Sequence, residues 1–134
     1  MTYVLDTTVM SALMRADAGP SKRLLQATPA QIAIPQPVIA EVHYGLARLE
    51  PSRRRTDMEE RLTLLLRTLP GIPWSDEVSR RFGEIKAGLE RRGERVDDFD
   101  VAIAAHALAA DAVVVTRNVR HFARIHELRV EDWA

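Results

Sequence analysis

The chain contains no cysteine, which rules out disulfides and every zinc site built on thiolates. Long apolar runs are also missing. LTLLL at 62–66 and AVVV at 112–115 stop far short of the roughly 18 to 20 residues that a bilayer span requires. The opening MTYVLDTTV has neither the basic stretch nor the cleavable apolar stretch of a secretory signal, so a cytoplasmic location is expected. Net charge is missing too: 19 basic residues balance 19 acidic ones, which removes the global field of a nucleic-acid binder. Lysine is nearly absent. Only Lys22 and Lys86 occur among the 19 basic residues, leaving 17 arginines. The planar fork of arginine suits bidentate phosphate contacts, and it clusters at Arg53–Arg55, at Arg80 and Arg81, and at Arg91, Arg92 and Arg95. Most of these read as solvated helix faces carrying ion pairs four residues apart. No repeat, low-complexity tract or linker interrupts the chain. Its 134 residues, 46% of them hydrophobic, fit one domain over 1–134 with a real core.

The hydrophobic pattern alternates strand and helix. YVLD (3–6) is a short buried-strand run that ends on an acid, and TTVMSALMR follows at helical spacing. GPSKRLLQA reads as a short helix opened by Gly19 and Pro20, and QIAIP (31–35) as a second strand. Pro37 starts a helix with Val38, Val42 and Leu46 on one face. Residues 52–69 form a long amphipathic helix with a stripe of Leu62, Leu65, Leu66 and Leu69. PGIPW is a break with room for a short strand. The next helix is capped by Ser75 and buries Val78, Phe82, Ile85 and Leu89. GERVDDFD reads as a loop, VAIAAHALAA as the helix it opens, and DAVVVT (111–116) as the clearest buried strand. A short helix and an edge strand, LRVEDW, close the chain. The expected fold is a three-layer α/β sandwich with a short, mainly parallel central sheet flanked by helices.

In such a sheet, ligands bind beyond the carboxyl ends of the strands. Asp6 ends the first strand, Glu41 lies near the start of the helix after AIP, and Asn118 lies just past AVVVT. The triplet Asp97, Asp98 and Asp100 opens the helix before AVVVT. One acid satisfies a helix cap and a second complements the helix dipole, but a third has no such role. If that helix starts at the same edge, three carboxylates converge. They must then raise their pKa values or bind a cation, and all-oxygen ligation suits Mg²⁺ or Mn²⁺. That is a phosphoryl-transfer site in outline.

VLDTTVMSAL, AEVHYG, GEIKAGLERRG, DVAIAAHA, VVVTRNVRHFARI and LRVEDW, in this order over nearly the whole chain, resemble the PIN-domain ribonucleases. In particular they resemble the VapC-type toxins of bacterial toxin–antitoxin pairs. The resemblance implies a PIN-like fold and a Mg²⁺-dependent endoribonuclease, with Mn²⁺ able to substitute, that cleaves RNA, tRNA above all, to arrest growth. It makes Asp6, Glu41, Asp100 and Asn118 the catalytic set, with Asp6, Asp100 and Glu41 as metal ligands. Asp100 is chosen from the triplet because it stands three residues before Ile103. Thr7, Thr116 and Asp98 are supporting residues, and Arg95, Arg117 and Arg120 are the RNA contacts nearest in sequence. The family often reads D-[TS]-N at the first acid, and here Thr8 stands where the Asn would be. A cognate VapB-type antitoxin and a homodimer, within a larger toxin–antitoxin assembly, are the implied partners.

Other classes fit less well. A histidine ribonuclease needs two imidazoles placed as acid and base; His106 is embedded in AIAAHALAA and reads as a packed residue. A Mg²⁺-binding receiver-type phosphoryl-transfer domain needs a second acid beside the first and a late lysine, which LDTT and TRN do not supply. The non-enzymatic alternative is a catalytically silent PIN-like binding module. Trp74 and Trp133 read as packing aromatics, and Arg53–Arg55 as solvated residues at a helix start.

Overall fold

The computed structural model describes residues 1–134. Three apolar segments supply the centre of the sheet: β1 (Tyr3–Leu5), β2 (Ile32–Pro35) and β4 (Val113–Val115). Two edge strands complete it, β3 (Gly71–Ile72) within PGIPW and β5 (Arg129–Glu131) at the end of the chain. The order is β3-β2-β1-β4-β5 and every pairing is parallel. The sheet is therefore wholly rather than mainly parallel. Successive residues of β4 are buried although they point to opposite faces, so both faces of the sheet are covered.

The covering helices are α1 (Thr7–Met14), α2 (Ala18–Gln26), α3 (Gln36–Arg48), α4 (Arg53–Thr68), α5 (Asp76–Arg91), α6 (Asp98–Ala109) and α7 (Val119–Phe122). Their starts follow local chemistry. Ser52 accepts from the Arg55 amide, and Ser75 accepts from the Val78 amide, each satisfying an orphan donor of the first turn. Val38, Val42 and Leu46 of α3 are buried. Of the leucine stripe, Leu62 and Leu69 enter the core, while Leu65 and Leu66 are only partly covered. Trp133 is buried and meets Tyr3 edge-on at 5.5 Å. Trp74 is 45% exposed, against Phe82 and His106.

Helix α6 is buried continuously from Val101 to Ala107. The alanines at 102, 104, 105 and 107 are what allow it to lie close to β1 and β4. It begins inside the loop expected at 93–100. Asp97 caps it by accepting from the Phe99 amide, which places Asp98 and Asp100 in the first turn. There their charge complements the helix dipole. Gly93, at φ +69°, ends α5 and turns the chain toward that cap.

Candidate active site

The strand order runs from β1 outward to β2 and β3 on one side, and to β4 and β5 on the other. The crevice between β1 and β4 is thus the topological switch point of the sheet, where parallel α/β domains bind ligands. The register places Leu5 beside Val115. The next residues, Asp6 and Thr116, consequently emerge side by side, with the Asp6 amide donating to the Val115 carbonyl at 3.0 Å.

Asp6 is the N-cap of α1, one residue beyond the strand, and is 2% exposed. Three donors converge on its carboxylate. The Thr8 hydroxyl (2.6 Å) and the Val9 amide (3.0 Å) reach Oδ1, and the Thr116 hydroxyl (2.5 Å) reaches Oδ2. Burial pushes its pKa above the ordinary 3.8, while these hydrogen bonds pull it back. Thr8 does more than stand in for an amide, because its oxygen also accepts from the Arg117 amide at 3.0 Å. Thr116 accepts in turn from the Asn118 amide at 2.8 Å. The threonines thus fasten the segment after β4 to the carboxylate that ends β1.

Glu41 lies in the second turn of α3, with Oε1 accepting from the Thr7 hydroxyl at 2.5 Å. Burial raises its pKa first, and the charges of Asp97 and Asp6 add to the rise. Asp100 is pushed up to about 6, again first by burial and then by Asp97, Glu41 and Asp6. The only group acting in the opposite direction is His121, whose Nδ1 lies 3.7 Å from Asp100 Oδ2. α6 therefore does start at the acid edge, and the three carboxylates from β1, α3 and α6 share one electrostatic pocket. Asn118 heads α7, is exposed, and makes no capping bond with its side chain.

The remaining residues singled out by sequence divide. Asp98 is exposed and turned to Lys86, 3.1 Å away; the neighbour acting on Glu41 and Asp100 is Asp97. The cap pattern identified Asp97 but concealed that its charge reaches the pocket. Arg117 and Arg120 flank Asn118 and are exposed, with Arg117 paired to Asp17 at 3.4 Å. Arg95 lines a cavity with Lys86, Glu94, Asp97 and Asp98. His121 and Asp17 carried no sequence signal, because each reaches its partner only through the turn that precedes it.

No three His, Asp or Glu side chains stand close enough to ligate a single ion. The chemistry of the donor set nonetheless fits a hard divalent cation. Its oxygens are carboxylates, neighbouring acids raise the pKa values of Glu41 and Asp100, and no lysine or arginine opposes that rise. Mg²⁺ usually takes one or two protein carboxylates and keeps several waters, which this spacing allows.

Fold and pocket together define a parallel α/β domain with an acid site at the switch point of its sheet. The sequence pattern of the PIN domain matches residues 3–128, and the chain belongs to the PIN-domain family. Among its relatives, Ribonuclease VapC2 of Rickettsia felis is 33% identical over 135 residues, covering 99% of this chain and 98% of that one. The tRNA(fMet)-specific endonuclease VapC of Salmonella typhimurium is 28% identical over 134 residues, at the same coverage. The crystal structure of VapBC2 from Rickettsia felis bound to a DNA fragment from its promoter superposes with a TM-score of 0.87, at 29% identity and full coverage of both chains.

Proposed function

We propose that the chain is a divalent-metal-dependent endoribonuclease, the toxin of a VapBC-type toxin–antitoxin pair. The observation that carries this reading is the pocket of Asp6, Glu41 and Asp100 at the strand ends, where burial raises all three pKa values and neighbouring carboxylates add to the rise at Glu41 and Asp100. The VapC ribonucleases similar along the whole chain support it, and the solved VapBC2 complex supports an antitoxin partner.

Mg²⁺, or Mn²⁺ in its place, would supply neutralisation of phosphate charge and acidification of an attacking water. Asp6 and Asp100 would hold it, with Glu41 and Asn118 doing so directly or through water. The protein's own contribution is preorganisation. Thr8, Val9 and Thr116 fix the Asp6 carboxylate and favour its ionised form against burial, and Thr7 aims Glu41. Arg117 and Arg120 at the mouth would orient the phosphodiester. Water oxygen bonds to phosphorus in line with the departing 3′ oxygen, which leaves with a proton. The products are a 5′-phosphate and a 3′-hydroxyl, and no 2′-hydroxyl is consumed.

The substrate we favour is structured RNA, tRNA first, and the expected consequence of unopposed activity is growth arrest. A cytoplasmic homodimer, joined with antitoxin into a larger assembly, completes the reading. Leu25 and Leu64, 86% and 60% exposed, border an apolar groove between α2 and α4 and offer a face for such association. No helix is long and apolar enough to cross a membrane.

The deciding experiment incubates purified protein with tRNA in Mg²⁺, in Mn²⁺ and in EDTA, and maps the ends. Cleavage with either metal, none in EDTA, 5′-phosphate ends and none with Asp100→Ala are expected. Cyclic-phosphate ends, or full activity in EDTA or in Asp100→Ala, would overturn the mechanism.

A further inference from the structure

Each arginine cluster spends one member on the protein itself. Arg55 pairs with Glu59, Arg81 with Glu77, and Arg92 donates to the Arg124 carbonyl. A cavity of about 510 Å³ is different: Arg15, Arg53, Arg54 and Arg61 line it, against the carboxylates of Asp17 and Asp57. Arg61 is fixed by donating to the Met14 carbonyl at 3.0 Å. Arg15 and Arg117 share one carboxylate, Asp17, at 3.2 and 3.4 Å. Arg53 and Arg54 are exposed and enter no ion pair.

The helix offers no reason for this concentration. Arg53 and Arg54 sit in the first turn of α4, where the dipole disfavours cations. The chain as a whole is uncharged, so a four-arginine cavity is a local feature rather than a reflection of composition. The cavity is also wired to the acid site. Ala16, in the left-handed region at φ 62°, reverses the chain after α1 and presents Asp17 to Arg117, whose amide is held by the Thr8 that also holds Asp6.

We infer that the cavity lined by Arg15, Arg53, Arg54 and Arg61 binds phosphates of an RNA strand that flank the one at the acid site, with Arg117 joining the two. This rests on the ribonuclease reading and deepens it. A polyanion leaving the mouth beside Arg117 meets the Arg15–Asp17 pair first and the free forks of Arg53 and Arg54 next. Guanidinium forks hold phosphate oxygens bidentately, and contacts of this kind position the strand without reading its sequence. Cleavage should therefore depend on the length of RNA on one side of the cut more than on its bases there.

The test measures binding of labelled oligouridylates of increasing length to the full chain in EDTA, over a range of salt, for the wild type and for Arg53→Ala/Arg54→Ala. The double variant is expected to bind long oligonucleotides several-fold more weakly. Its dependence of log affinity on log salt should be flatter by about 0.7 for each lost contact. The shortest oligonucleotides should bind equally to both proteins, and Arg53→Lys/Arg54→Lys should keep the salt slope. An unchanged affinity and slope for long RNA in a correctly folded double variant would overturn the inference, as would a variant that loses only its binding to an acidic protein partner. Because chelation removes the chemistry, the two readings separate. A length-dependent binding defect in a protein that cuts no RNA would sink the nuclease and keep the phosphate track, whereas RNA cleavage insensitive to the double variant at every length would do the reverse.

Discussion

Asp6 and His106 are withdrawn from water to the same degree, 2% and 1% exposed, yet the chain treats them in opposite ways. Asp6 receives a donor on each carboxylate oxygen, three in all. Neither ring nitrogen of His106 has a partner, and its most specific neighbour is the edge-on ring of Trp74 at 5.7 Å. Burial lowers the pKa of His106 with nothing to oppose it, so the imidazole stays neutral and serves as a packing group. Burial raises the pKa of Asp6, but the donors oppose that rise by stabilising the carboxylate anion. Burial alone does not mark a functional group. What marks one is the structure's investment in preserving the charged form.

The largest expected effects test the invested side. Asp6→Ala and Asp100→Ala should each lower initial rates of RNA cleavage by at least about a hundredfold, the scale of losing one group that stabilises transition-state charge. Circular dichroism should show the fold retained, and Glu41→Ala should act in the same direction. His106→Leu belongs at the other extreme. It removes no hydrogen bond and should change stability by less than about 1.5 kcal/mol, with cleavage unaltered. A loss on the scale of Asp6→Ala would break the comparison.

Thr116→Val lies between them. It leaves a buried carboxylate oxygen without its donor, which should cost about 1–3 kcal/mol in denaturant unfolding. Because the Thr116 bond lowers the Asp6 pKa, its loss should also move the acid limb of the rate profile to higher pH.

Asp100 sharpens the comparison through pH. Its folded pKa, about 6, is above the ordinary 3.8, so the folded state holds the proton more tightly than the unfolded chain does. That contribution to stability is complete below the ordinary value and is lost as pH rises through about 6. Metal-free protein should therefore soften over this window, and Asp100→Asn should soften less, keeping only the contributions of Asp6 and Glu41. The variant should be more stable at pH 8 by roughly 1–2 kcal/mol, less than the full shift implies because the side chain is partly solvated. Added Mg²⁺ should raise the melting temperature of the wild type and have less effect on the variant.

Much of this was legible in the order of residues. Apolar runs of three or four marked β1, β2 and β4, an amphipathic stripe marked α4, and a serine cap marked α5. The acid at the end of the first strand identified the edge where ligands bind. The loop expected over 93–100 was misjudged because its last residues already belong to α6: an Asp followed by two acids reads equally as loop or as first turn. Asp98 and Asp97 could not be told apart for a related reason. Adjacent residues on a helix lie about 100° apart, so the phase of α6 against the sheet sends one to Lys86 and lets the charge of the other act on Asp100.

The sequence by itself determined the alternation of strand and helix, the absence of thiol chemistry and of membrane-spanning runs, and the supply of acids and hydroxyls in the right segments. These follow from side-chain periodicity and composition, which are local. Only the tertiary structure decided that the ends of β1 and β4 lie side by side, that Thr8 and Thr116 hold one carboxylate from two segments, and that Arg15 and Arg117 share Asp17. Each of these joins residues that are neighbours because parallel strands must return through a crossover, and the crossover, not the spacing along the chain, sets what meets at the strand ends.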